Sequence, residues 1–444
     1  MKRVILIFSI FIFASPGLFA QSINLEQART LALANSRSLA KYNMAIRGSI
    51  LDERNQLYSM LPSLSADYSA SMSYLGRNWD FVKPADTLTA GFTFSVTQII
   101  FEGGKSFIQK AIRSIATESI RKDALAEYFN VLDAVDNAYY AVLEASASLE
   151  AAESTLQTAA LTLSIAEIRQ ANGIINQGDY LKALSDKEIR ENSRNQARRN
   201  LALCMTRFNA LTGLKESVTI EQVDFNVYEN VIRYFAGISD EDADALYDRF
   251  IKILVASNPS LAKASLNSQR AERSLSLARR DCSPVISATI FSTTLQYSAA
   301  DGRSNTTAGG VSIRGSIPID FWVTANRIEK SRIERDSAAL DYISAVNSLE
   351  TELQSAFLNA FAQAESVLSS RRSLEYAERH FEHIMERYRL SQSSVSDLQE
   401  ATSLLITGRN NLINASYGFL QSLSRLNSLG AIGDEEKLIN ILLN

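Results

Sequence analysis

The sequence predicts a mainly α-helical chain with a β portion, built as two tandem copies of one unit: a strand hairpin followed by a very long helical hairpin. Three observations point there. The hydrophobic period switches abruptly from helical spacing to two and back again. Runs of sixty or so residues contain neither proline nor glycine, in a chain that holds only 6 prolines and 18 glycines in 444 residues. Finally, short landmarks recur in order along the chain, as tandem repetition requires.

The first copy opens with a helical stretch from Leu25 to about Met60. It stops at Leu61-Pro62, because proline cannot continue a helix and pushes its predecessor toward extended geometry. Leu64, Ala66, Tyr68, Ala70, Met72 and Tyr74 then alternate with serines and Asp67. This is a strand with one apolar and one polar face. After a loop carrying Gly76, Asn78, Asp80 and Pro84, a second strand runs over 87–100, with Leu88, Ala90, Phe92, Phe94 and Val96 on one face and Gly103-Gly104 punctuating its end.

From Lys105 to about Ala171 apolar residues such as Ile108, Ile112, Ile115, Tyr128, Leu132, Val135 and Tyr139 recur three or four apart. At 1.5 Å per residue this helix is about 100 Å long, which indicates a coiled coil or helical tube. Asn172-Gly173 and Gly178 break it, and a return helix follows over 179–212.

The second copy repeats the order, with strands at 285–297 and 309–320 and helices at about 325–389 and 395–428. Ser38-Leu39-Ala40-Lys41 recurs as Ser260-Leu261-Ala262-Lys263, Pro62 as Pro284, Asp179 with Ala183 as Asp397 with Ala401, and Leu211 before Gly213 as Leu429 before Gly430. The copies are assigned to 22–214 and 240–430, with an irregular connector over 215–239 and a tail over 431–444. In the third strand the alternation slips near Phe291, and a bulge is expected there.

The N-terminus reads as an export signal. Lys2-Arg3, the apolar run Val4 to Ala14, the breaker Pro16-Gly17 and small Ala20 predict cleavage after residue 20. No other stretch approaches the ~20 apolar residues of a membrane helix, so any membrane span must be made of strands. The formal charge of −4 and the lack of a basic patch interleaved with aromatics give no reason to expect nucleic acid. Cys204 and Cys282 are too few to form a disulfide framework, and whether they pair is open. His380 and His383, three apart on a helix, are not surrounded by a Cys or acidic ligand cluster with known metal spacing, so neither metal nor cofactor is expected. No nucleophile with its base is evident, and no enzyme activity is expected.

Four strands with one apolar face and one of Ser and Thr match the spacing of outer-membrane barrel strands. Four cannot stand alone in lipid, because an open edge leaves backbone groups unpaired at several kcal/mol each. Other chains must complete the barrel, which makes a dimer or trimer the minimum.

Leu61-Pro62-Ser63-Leu64 entering the first strand, Thr97-Gln98 through Phe101 leaving the second, Tyr128-Phe129-Asn130-Val131-Leu132 in the long helix and Leu211-Thr212-Gly213 closing the copy resemble the TolC outer-membrane efflux family. The resemblance covers nearly the whole mature chain. It implies a homotrimer with a twelve-stranded barrel in outer-membrane lipid, continuing into a periplasmic α-helical coiled-coil tube. It also implies passive export of small molecules or polypeptides, with a periplasmic adaptor and an inner-membrane pump of the resistance-nodulation-division, ABC or major-facilitator type as partners. The reading from another class, a periplasmic coiled-coil adaptor or scaffold, needs one helical hairpin with soluble β modules, whereas this chain has two.

The resemblance further implies a pore aperture at the hairpin tips. The segment from Tyr388 to Thr402 is similar to the family's aperture segment and puts its two acidic residues at Asp397 and Glu400. Three apart, both lie on one helix face, and threefold symmetry makes each a ring whose carboxylates hold cations and raise one another's pKa. Ser394 and Asp397 also fit a capping box, a role compatible with the first. By the same resemblance Asp179 hydrogen-bonds Tyr388 as a closed-state latch, although Asp179 also reads as an ordinary helix start after Gly178. A second family latch joins an arginine to a threonine. Ser393 and Gly178 occupy those positions, so that latch is missing, and Ser391 replaces the glycine of the second hairpin turn.

Overall fold

The computed structural model describes residues 22–73, 87–215, 218–299, 302–433, 437–439 and 441. The export signal and the loop between the first two strands lie outside them. Two compact units emerge, one formed by Arg37–Tyr128 with Ile251–Leu353, the other by Met1–Ser36 with Phe129–Phe250 and Gln354–Asn444.

The first unit holds α2 (Arg37–Tyr58), β1 (Ser63–Ser73), β2 (Thr87–Phe101), α7 (Pro259–Ala278), β3 (Val285–Ala299), β4 (Gly302–Ser316) and the opening parts of two long helices, α3 (Lys105–Ala171) and α8 (Phe321–Arg389). The second holds α1 (Leu25–Asn35), α4 (Gln177–Thr212), α5 (Glu229–Gly237), α9 (Val395–Gly430), the remainders of α3 and α8, and the opening part of α6 (Asp240–Ser257), which passes into the first unit at Ile251. The helices α3 and α8 run unbroken for 67 and 69 residues. No described helix is long and apolar enough to cross a membrane.

The four strands form one antiparallel sheet in the order β1-β2-β3-β4, leaving β1 and β4 as its edges. Register follows the pleat. Leu64 faces Val96, Ala66 faces Phe94 and Tyr68 faces Phe92, so one surface of β1 and β2 is continuously apolar. Ile290 and Val311 extend it across β3 and β4. It is strongly exposed: Leu64 is 82% accessible, Phe94 61% and Val311 70%. The other surface is a lattice of hydroxyls, in which Ser65 pairs with Ser95 at 2.8 Å, Thr93 with Thr293 at 3.1 Å and Thr97 with Thr289 at 3.0 Å. Cross-strand hydroxyl pairs of this kind stabilise the ladder without an apolar core.

The bulge expected at Phe291 is not there. Pairing of β3 with both neighbours passes through Phe291 without a shift, and the one irregularity lies in β2 between Ile99 and Phe101. The alternation slips because Phe291 and Leu295 lie on the hydroxyl-rich surface, each over a glycine of the next strand. A Cβ on Gly310 would stand 3.1 Å from the Phe291 ring, and one on Gly91 2.8 Å from Leu295 Cδ2.

Where the sheet meets the helices, Gly103 and Gly104 take left-handed φ of 68° and 74°. Arg280 donates to the Gly103 carbonyl at 2.7 Å, and Asp281 binds Lys105 at 3.2 Å and Arg327 at 2.5 Å. These ties fasten both copies at the strand-to-helix junction.

Two sequence expectations change in the second unit and at its boundary. The stretch from Leu25 to Met60 is not one helix, because Ser36 is extended (ψ 111°) and separates α1 from α2. Asn35 spends its side-chain amide on the carbonyls of Ala210 and Leu211 at the end of α4. The connector is not irregular throughout either. Val231, Ile232 and Phe235 give α5 a buried face, and Phe235 packs edge-on against Phe361 at 4.9 Å. Within this unit Arg29 grips Asp136 through two hydrogen bonds of 2.7 Å, and Ser424 donates a third at 2.8 Å to the same carboxylate. Tyr139 donates to the Glu221 carbonyl at 2.6 Å, and burial pushes its phenol up to about 12.

Candidate pore aperture at the hairpin tips

Both helical hairpins turn with the same local chemistry. In the first, Gly173 N–H donates to Gln170 O and Ile174 N–H to Arg169 O, each at 2.9 Å, with Gly173 at φ 71°. In the second, Ser391 N–H donates to Tyr388 O at 3.0 Å and Gln392 N–H to Arg387 O at 2.8 Å, with Ser391 at φ 60°. These are paired Schellman closures, so loss of the glycine leaves the tip geometry intact. An L-residue in the left-handed region costs about 1–2 kcal/mol. Ser391→Gly is therefore expected to stabilise the protein by about 1 kcal/mol, measured as an upward shift of the denaturant midpoint against wild type.

The return helices start alike as well. Asn176 Oδ1 accepts from Asp179 N–H at 2.8 Å, and Ser394 Oγ accepts from Asp397 N–H at 3.1 Å. Asp397 Oδ2 in turn accepts from Ser394 N–H at 2.9 Å, completing the capping box that the sequence suggested. That backbone hydrogen bond holds the Asp397 carboxyl below the usual carboxylate range, so within one protomer its shift is opposite to the one expected from crowding around a pore.

Val395, Leu398 and Ala401 point the other way, into a small core with Ala166, Ala183, Ile384, Met385 and Tyr388. That core joins the tips of all four long helices. It leaves Asp397 and Glu400 together on the exposed face of α9. The tips are also stitched by Lys182, which donates to Ser396 Oγ at 3.1 Å, stands 3.7 Å from Asp179, and accepts Gln399 at its carbonyl at 3.1 Å.

Tyr388 is fully buried, yet its hydroxyl has no hydrogen-bond partner. The hydrogen bond between Asp179 and Tyr388 is thus not made in this structure, although the two are near enough to sense each other. Burial raises the Tyr388 phenol, the Arg169 guanidinium acts against that, and the Asp179 charge adds to it. Arg169 is the residue that sequence reasoning passed over. It is 6% exposed, lies over the Tyr388 ring at 4.3 Å and donates to the Tyr388 carbonyl. Its counterpart by turn geometry, Arg387, was a signal available in the sequence.

His380 and His383 are exposed on α8, and among the described residues no group of three or more His, Cys, Asp or Glu could hold a metal ion. Cys204 and Cys282 are both free.

Comparison with known proteins agrees with this architecture. The model of the outer membrane efflux protein family matches residues 28–214 and again 250–431, one match for each copy. Outer membrane protein TolC of Escherichia coli (strain K12) is 22% identical over 94% of this chain and 84% of its own. Among solved structures, CusC superimposes with a TM-score of 0.75 at 17% identity, covering 94% of this chain and 95% of that one. The Campylobacter jejuni outer membrane channel CmeC does so with a TM-score of 0.73 at 16% identity, covering 94% and 88%. The chain belongs to the outer membrane efflux protein family and is an efflux channel of the outer membrane.

Proposed function

We propose that three copies of this chain form a passive duct that catalyses nothing and delivers cargo to the exterior, with a periplasmic adaptor and an inner-membrane pump supplying the drive. The single observation that carries this is the sheet: four strands, two open edges and an exposed apolar face. In hydrocarbon both edges need partners, and three such sheets joined edge to edge close a twelve-stranded barrel without a free edge. A soluble adaptor or scaffold would leave Leu64, Tyr68, Phe92 and Phe94 in water, which supports the duct over that reading.

The apolar period continues past β4 as Ile317 and Ile319 and then Phe321 and Trp322, all exposed. Aromatic and aliphatic side chains at that level suit the boundary between lipid and the helical portion. Residues 1–20 serve as the cleaved export signal, and 215–239 with α5 girdle the helical portion.

Asp397 and Glu400 form the aperture. On the exposed face of each α9, three copies of each would present rings of carboxylate that attract cations and narrow the closed duct. Asp179 and Tyr388 belong to the same closed state. Single-channel recording in planar bilayers tests the assignment: Asp397→Asn with Glu400→Gln is expected to weaken block by divalent cations about tenfold or more and to alter conductance. Block and conductance equal to wild type would remove these residues from the aperture.

A further inference from the structure

The sequence lacks one of the family's latches, and the structure leaves the hydroxyl of the other without its hydrogen bond, yet the tips are joined. Ser393, at the position of the missing arginine, instead donates to the Ile384 carbonyl of its own hairpin at 3.2 Å. Gly178, at the position of the missing threonine, has no side chain to offer. Beside the exposed ties of Lys182 to Ser396 and Gln399, a buried contact crosses from one hairpin to the other, and it is made by Arg169.

Arg169 sits in the last turn of α3, and its side chain leaves the first hairpin altogether. One terminal nitrogen donates to the carbonyl of Tyr388, which already accepts the Ser391 N–H, so both lone pairs of that oxygen are used. The guanidinium plane lies over the Tyr388 ring. The cation therefore sits at the C-terminal end of α8, where unpaired carbonyls make the helix dipole negative. Arg387, at the same place in the second turn, does something different: it folds back to the Gln392 carbonyl of its own hairpin at 3.1 Å. Equivalent arginines are thus used asymmetrically, one to finish a turn and one to reach across.

Burying a guanidinium is costly unless it is hydrogen-bonded, and among the described residues no carboxylate forms a salt bridge with Arg169, so the carbonyl and ring of Tyr388 are what hold its charge at the turn. We propose that Arg169 is the clasp that holds the two hairpin tips of each protomer in the closed state, gripping the main chain and ring of Tyr388 in place of a hydroxyl latch. Opening would then require Arg169 to leave the α8 terminus, exposing the ring and freeing the orphan Tyr388 hydroxyl for water or Asp179. The clasp rests on the duct reading given above, as a positioning contact for its aperture.

Three variants of the full-length protein in planar bilayers test it. Arg169→Met keeps the packing and removes the grip, and is expected to raise the open fraction about tenfold, or about 1.4 kcal/mol of closed-state preference. Arg169→Lys retains the charge without the planar stack and is expected to fall between Met and wild type. Tyr388→Phe keeps both the ring and the carbonyl that Arg169 grips and removes only the hydroxyl, and is expected to raise the open fraction far less than Arg169→Met does. Thermal midpoints and detergent-resistant oligomers of each variant identify any loss of fold, and an Arg169→Gln variant substitutes if the Met form is unstable. An Arg169→Met channel that closes as tightly as wild type overturns the clasp. So does leakage from Tyr388→Phe equal to that of Arg169→Met, since it would assign closure to the hydroxyl. If wild type forms no channel at all, the duct reading itself fails, and the clasp with it.

Discussion

Phe94→Arg is expected to abolish assembly in the outer membrane, whereas Thr93→Arg, one residue away, is expected to assemble and alter only conductance. Phe94 projects from the exposed apolar surface of β2, between Ala66 on one side and Ser292 on the other. An arginine at that depth costs about 2–4 kcal/mol in a lipid-facing position, and three copies multiply the burden. Thr93 lies on the opposite surface, hydroxyl to hydroxyl with Thr293, where water is available to a charge. Heat-modifiable mobility of the outer-membrane fraction reads the difference directly. Equal assembly of the two variants would show that the two surfaces do not face different solvents.

The second large effect is expected far from lipid. Arg29→Ala leaves the Asp136 carboxylate buried with Ser424 as its remaining donor among the described residues, and Asp136 is 2% exposed as a side chain. Breaking a buried pair from one side costs about 3–5 kcal/mol, which approaches the whole stability of many domains. The neighbourhood makes this worse, since burial already raises the Asp133 carboxyl and the Asp136 charge raises it further, with Arg425 opposing both. Removing both charges at once, as Arg29→Met with Asp136→Leu, is expected to recover most of the loss. Denaturant midpoints of the single and double variants measure it. A double variant as unstable as Arg29→Ala would mean that shape, not charge, holds α1 in place.

Much of this architecture was legible because it rests on periodicity. The strands announce themselves through Leu64 to Met72 and Leu88 to Val96, where a period of two leaves no alternative face. The long helices do so through the absence of proline and glycine from Lys105 to Ala171. What the sequence hid depended on partners distant along the chain. Nothing local marks Ser36 as a break, since the cause is Asn35 reaching the end of α4. The slip at Phe291 read as a bulge because the space above Gly310 is invisible without the register. The buried face of α5 was lost among polar neighbours, having only Val231, Ile232 and Phe235 to show.

The site divides in the same way. Ser394 and Asp397 were readable as a capping box from spacing alone, and the box is formed. Ser391 was a doubtful turn residue because the left-handed preference of glycine is statistical, and a serine takes up φ 60° once the Schellman bonds hold it there. Arg169 escaped notice because an arginine in a last helical turn usually serves its own helix, as Arg387 does.

The duct depends most on the solvent that meets each side of the sheet. The direct measurement places single nitroxide labels, in a Cys204→Ser, Cys282→Ser background, along β1 from 64 to 70 and β2 from 89 to 96 in the outer membrane. Relaxation by oxygen and by an aqueous nickel chelate is then compared residue by residue. Positions 64, 66, 68, 70, 90, 92, 94 and 96 should favour oxygen, and 65, 67, 69, 89, 91, 93 and 95 should favour nickel. Uniform access of nickel to both sets would contradict the barrel and the duct built on it.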